Sequence, residues 1–264
     1  MRILNFLFNR SKQEQDKPIR DKLKTRKDFE RVLAEDLDIM ETTKARMDTA
    51  KNINLYMYRS LSYSYILILQ SKYSVDAKID ELRDIYIKSM YYFLQAFNKR
   101  NPIYADILNY VSLGVLLNIP DNNFRQLIDY VKQMDKQAKP SGWTPDLLLW
   151  FMLNSRLKEQ EKLKYAETLA YPRLYNGLYK VIQAPNAAAA KDALNKYLDR
   201  WYNLNSDAPW YNSHLKDNCY RGYWAWEVAA VAKIMHIDDS DLKNNQYYPY
   251  DMVHWEDNET TAKE

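Results

Sequence analysis

Apolar side chains return every third or fourth residue along nearly the whole chain, and that period restricts it to helices. Phe29, Val32, Leu33, Leu37, Met40 and Met47 form one stripe. It opens at Thr25, with Asp28 three residues on, the spacing of an N-terminal cap. A second run near 52–72 carries Leu55, Tyr58, Leu61, Tyr65, Ile68 and Leu69. A third, over 76–98, carries Ile79, Leu82, Tyr86, Met90, Phe93 and Phe97. Pro102 can start the next helix and Pro120 can end it. Asp121 stands where a cap would, ahead of Phe124, Leu127, Ile128, Val131 and Met134. Beyond Gly142, Thr144 with Pro145 predicts another helix start, and further helices are expected near 163–183, 186–203 and 218–236. No segment alternates polar and apolar residues between hairpin turns, which argues against a sheet. The expected fold is all-α, with about eight or nine helices in two helical subdomains packed together.

Composition narrows the function classes. The 264 residues include only four Gly, so few positions can adopt left-handed turns or bring backbone close to a phosphate. This speaks against Rossmann, P-loop and most all-β designs. One Cys, Cys219, excludes a disulfide framework and a thiolate zinc site built from this chain. The His residues, 214, 236 and 254, fall in no HExxH or i,i+4 pair. No cofactor is expected. The start, MRILNFLF, is too short and has the wrong flanks for a secretory signal, and no apolar run is long enough to span a bilayer. A cytoplasmic location is therefore expected, with no membrane partner.

Charge is uneven. Residues 1–140 hold 24 Lys/Arg against 18 Asp/Glu, while 141–264 hold 14 against 17. The sign changes across KQAKPSGWTP (Lys136–Pro145), which also gathers Pro140, Gly142 and Pro145 and is the best domain boundary. The expected domains are 18–138 and 143–256. The basic first 31 residues could touch nucleic acid or membrane, yet no aromatic interleaving supports base stacking, and a solvated end explains them as well.

Two places could carry chemistry. Asp238, Asp239 and Asp241 could hold a hard cation through oxygens, or cap the turns around them. Glu227 lies in YRGYWAWEVAAVAKIM, where a continuous helix would put Tyr220, Tyr223, Trp224, Glu227, Val228 and Val231 on one face. A carboxylate buried there acquires a raised pKa unless Tyr, Trp or Arg donors satisfy it. That environment suits a glycoside-hydrolase acid, and equally a structural hydrogen-bond hub. Catalysis would need a second carboxylate at a defined distance.

The strings WYNLNSDAPWYNSHL (Trp201–Leu215), YRGYWAWEVAAVA (Tyr220–Ala232), IDDSDL (Ile237–Leu242) and YYPYD (Tyr247–Asp251) occur in this order. Together they resemble the C-terminal domain of the PoNi family, immunity proteins against polymorphic nuclease toxins. RDKLKTRKDFE (Arg20–Glu30) and YRSLSYSYILILQSKYS (Tyr58–Ser74) resemble that family's N-terminal domain. The resemblance covers roughly 18–256. It implies a non-catalytic, all-helical cytoplasmic protein that binds a cognate antibacterial DNase toxin, commonly a type VI secretion effector, and blocks its active site. It does not imply direct nucleic-acid binding. The family motif residues are Trp201, Tyr202, Tyr220, Gly222, Tyr223, Trp224, Glu227, Asp238, Asp239, Tyr248, Pro249 and Asp251. They are expected to be scaffold, with Gly222 permitting a close helix approach. DNase inhibitors often mimic phosphates with acids, and the remaining acids of the C-terminal stretch, Asp241, Glu256, Asp257 and Glu259, are the expected toxin contacts. A helical carbohydrate-active enzyme using Glu227 is the competing reading.

Overall fold

The computed structural model describes residues 18–97, 103–136, 142–216 and 219–261, with backbone alone at 97 and 257–261. The basic start before residue 18 and the centre of the expected boundary, 137–141, lie outside the described residues. Among the described residues there are ten α-helices and no strand. The fold is all-α, one helix beyond the expected eight or nine.

The chain groups into two compact units. The first runs to Phe97 and adds Asn212–Tyr223; the second takes the rest, to Tyr211 and again from Trp224.

In the first unit, α1 (Arg26–Thr49), α2 (Leu55–Val75) and α3 (Ile79–Phe97) follow one another through short connections. Thr25 and Asp28 form a reciprocal capping box, the Thr25 hydroxyl accepting from the Asp28 N–H and Asp28 Oδ2 accepting from the Thr25 N–H at 3.0 Å. Asn54 caps α2, and Asp76, with φ of 94°, ends it in the left-handed region. Helix α2 packs on both α1 and α3. Its serines Ser62, Ser64, Ser71 and Ser74 are buried, and Ser89 of α3 donates to the Ser62 carbonyl at 2.8 Å. Phe29, Val32, Leu33, Leu61, Leu69, Leu82, Tyr86 and Phe93 fill the interior.

The second unit is built on α4 (Tyr104–Leu116), buried at ten positions from Tyr104 to Leu116 and therefore apolar around most of its circumference. Helix α5 (Asp121–Lys136) follows, then α6 (Leu147–Asn154), α7 (Pro172–Ile182), α8 (Ala187–Leu204), α9 (Trp226–Met235) and α10 (Tyr250–Thr261). Helix α9 packs on α4, and it is buried from Trp226 to Ala232. Helices α7 and α8 pair at Gly177, where an added Cβ would come within 2.6 Å of the Tyr197 ring.

Several helix starts differ from the sequence expectation. Asp121 is the first residue of α5 rather than its cap, with the Pro120 carbonyl accepting from the Asn123 and Phe124 N–H groups. The cap of α6 is Asp146, not Thr144: its Oδ1 accepts from the Leu149 N–H at 2.8 Å. Helix α7 begins only at Pro172, because residues 162–171 run irregularly, with the Ala170 N–H on Asp146 at 2.7 Å. Helix α9 begins at Trp226, eight residues later than the expected 218. Gly222 has φ of 107°, a conformation that a helix cannot contain, and the Ala225 N–H is drawn to the Tyr247 carbonyl at 2.9 Å.

Candidate functional site

The shared helical face expected of Tyr220, Tyr223, Trp224 and Glu227 does not exist. Tyr220 to Ala225 is non-helical, and only Glu227, Val228 and Val231 sit on α9. Gly222 is required by its positive φ rather than by a helix contact. The division into units separates the motif further: Tyr220, Gly222 and Tyr223 belong to the first, Trp224 and Glu227 to the second.

In the second unit, Glu227 lies in the first turn of α9, 7 % exposed, where Ala225 supplies no side-chain cap. Its carboxylate accepts the Trp201 indole N–H at 2.6 Å and its own backbone N–H. Burial outweighs both bonds and pushes its pKa from 4.5 up to about 7. Tyr175 and Tyr197 feel the Glu227 charge, and with burial it drives their phenols well up. Trp201 also stacks on Trp210 at 5.4 Å and meets Tyr247 at 5.5 Å, while Tyr202 stacks on Tyr247 and Tyr211. The Trp–Tyr strings thus build one aromatic cluster around the end of α8.

The aspartates following α9 divide their work. Asp238 accepts from the Ser240 N–H at 3.2 Å and from Lys191 at 2.8 Å, which hold it well below the usual carboxylate range. Asp241 accepts from Asn195 at 3.0 Å and lies 3.2 Å from Lys191, its pKa also lowered. An ammonium therefore sits where a cation would have bridged them, and no group of three ligating side chains gathers among the described residues. Asp239 is 2 % exposed, accepting the Tyr248 hydroxyl at 2.6 Å, with His254 Nε2 at 2.7 Å. Pro249 is buried just before α10, and Asp251 is exposed in the first turn of that helix.

Of the four acids expected to meet a partner, Asp241 and Glu256 are held within the chain. Glu256 accepts from Lys233 at 2.9 Å and from the Asn118 amide. The side chains of Asp257 and Glu259 lie outside the described residues.

Three buried carboxylates escaped sequence reasoning. Asp146 accepts from Tyr104 at 2.9 Å besides its two backbone donors. In the first unit, Asp36 takes a two-pronged bond from Arg221 at 2.7 and 2.9 Å, and Asp21 accepts the Tyr220 hydroxyl and the N–H groups of Leu23 and Lys24. Burial raises all three pKa values despite these donors. Asp146 carried one signal in sequence, its place at an expected helix start; Asp21 and Asp36 carried none, because their partners are distant.

An open groove of about 430 Å³ is lined by Asp121, Phe124, Arg125, Ser155, Arg156 and Glu161. Its arginines cross to its acids, Arg156 to Asp121 at 2.5 Å and Arg125 to Glu161 at 3.3 Å. Glu227 does not reach it. No helix among the described residues is long and apolar enough to cross a membrane.

The C-terminal profile of PoNe immunity proteins (PoNi) matches residues 144–252, and the N-terminal profile matches 10–129. The chain belongs to the PoNi family. Family membership makes it a relative of nuclease-toxin immunity proteins, which are non-enzymatic inhibitors. The crystal structure of protein PA2201 from Pseudomonas aeruginosa has a similar fold, with a TM-score of 0.66, 18% identity and 91% of each chain covered. No curated protein matches the chain.

Proposed function

We propose that this PoNi protein is the immunity partner of an antibacterial DNase delivered by type VI secretion. In this reading it acts in the cytoplasm by binding the toxin and covering its active site. The carrying observation is the family match over both halves of the chain. The geometry supports a binder: Asp21, Asp36, Asp146, Asp239 and Glu227 are buried and bonded to scaffold donors. A carboxylate committed in this way organises a fold. The carbohydrate-active alternative needs Glu227 to touch a sugar, and its burial beneath Trp201 stands against that.

Two surfaces compete for the toxin. The acidic stretch Asp241, Glu256, Asp257 and Glu259 suits a basic nuclease cleft, although Lys191 and Lys233 already balance two of those charges. In the first unit, Ile53, Leu55, Tyr56, Tyr63 and Tyr91 are exposed around the start of α2 and the end of α3, with Tyr91 and Tyr65 packed on Tyr92. Exposed tyrosine on rigid helices is the composition of interface hot spots. The test is DNA cleavage by a purified cognate nuclease toxin, titrated with the chain. Cleavage is expected to stop near equimolar protein; undiminished cleavage in large excess would overturn the reading.

A further inference from the structure

Asn212–Tyr223 comes from the C-terminal half of the sequence yet belongs to the unit of α1, α2 and α3. Buried and half-buried polar bonds anchor this segment, with one ring contact beside them. The Arg221 guanidinium grips Asp36, which is 2 % exposed on α1 and 185 residues away in sequence. The Arg221 carbonyl accepts from Ser74 near the end of α2 at 2.7 Å, and the Ser74 carbonyl accepts the N–H groups of Arg20 and Asp21 at 3.1 and 3.2 Å. Tyr220 donates to Asp21 and lays its ring 5.8 Å from that of Phe29. The Tyr223 hydroxyl ties the segment to itself, accepting the His214 N–H at 3.0 Å and meeting the Ser213 hydroxyl at 3.2 Å.

We propose that Asn212–Tyr223 is a latch that completes the first unit, so that α1, α2 and the latch open and close as one cooperative body. Without the latch, Asp36 would be a buried charge stripped of its cation, and Asp21 would lose the hydroxyl that satisfies it. A buried carboxylate in that state is far costlier than the pair replaced by apolar side chains. The N-terminal half of the family sequence then does not hold its native form without twelve residues supplied by the C-terminal half. A surface loop lying on a self-sufficient helical bundle would behave differently, because loops normally open at much lower free energy than the helices beneath them.

Native-state amide hydrogen exchange of the full-length chain in rising, sub-denaturing urea separates the two cases. The latch amides of His214, Leu215 and Lys216, each with a bond inside the latch, are expected to share one opening transition and one urea slope with α1 and α2. Arg221→Met is expected to speed exchange in the latch and in α1 together, by roughly tenfold or more, and adding Asp36→Leu is expected to restore much of the protection. If Arg221→Met proves unfolded, the wild-type exchange pattern still decides. Latch amides that open at lower urea while α1 and α2 keep full protection would overturn the proposal.

Discussion

Glu227 offers the sharpest test of the buried polar framework, because its charge and its packing can be removed separately. Burial lifts its pKa from 4.5 to about 7 in the folded protein. Between those values the unfolded chain releases the proton while the folded chain keeps it. The unfolded state therefore binds fewer protons, and stability falls as pH rises. The slope is about 1.4 kcal/mol per pH unit, so roughly 3 kcal/mol is lost between pH 4.5 and 7, and the loss stays constant above that. Glu227→Gln retains an oxygen for the Trp201 indole but cannot ionise, so the variant should lack this component. Compared with wild type, it should gain about 2.5 kcal/mol on going from pH 5 to pH 8. Asp21, Asp36 and Asp146, also raised by burial, add slopes of the same sign to both proteins and cancel in the difference. Glu227→Ala removes the acceptor and leaves the Trp201 N–H buried, and at pH 5 it should cost about 1–3 kcal/mol. Urea unfolding of the three proteins at pH 5, 6, 7 and 8 provides the measurement. Parallel pH profiles for wild type and Glu227→Gln would refute the reasoning, since they would mean that Glu227 titrates normally in the folded protein.

Gly222→Ala should destabilise by about 1–3 kcal/mol in thermal or urea unfolding, because φ of 107° is strained for any side chain; an unchanged midpoint would show that this turn relaxes freely. The quadruple change Asp241→Asn, Glu256→Gln, Asp257→Asn and Glu259→Gln should slow toxin association and flatten its dependence on salt. Its stability cost should stay near 1 kcal/mol, since the Lys191 and Lys233 ion pairs it breaks are at least partly exposed. Identical association rates and salt slopes would place the toxin elsewhere, with the tyrosine surface of the first unit next to be tested.

What could be read from sequence was what is local. The capping box at Thr25 and Asp28, the Asn186 start of α8 and the apolar stripes of α1, α3 and α5 depend on residues three or four apart. Helical hydrogen bonds and caps close over that same distance, so spacing alone determines them. The burial of Glu227 was also legible, though the face drawn around it was wrong: Gly222 and the Ala225–Tyr247 bond keep Tyr220, Tyr223 and Trp224 off the helix. Tertiary structure alone decided the pairing of buried charge. Asp36 meets Arg221 and Asp21 meets Tyr220 across 185 and 199 residues, and nothing in the neighbourhood of either aspartate announces its partner. The same holds for Asp146, passed over in the sequence for Thr144: it caps α6 and becomes a buried junction because Tyr104 and Ala170 reach it from elsewhere in the second unit. A short-range rule can place a helix; only the folded chain, where an unpaired buried carboxylate is too costly to keep, selects which distant donor completes it.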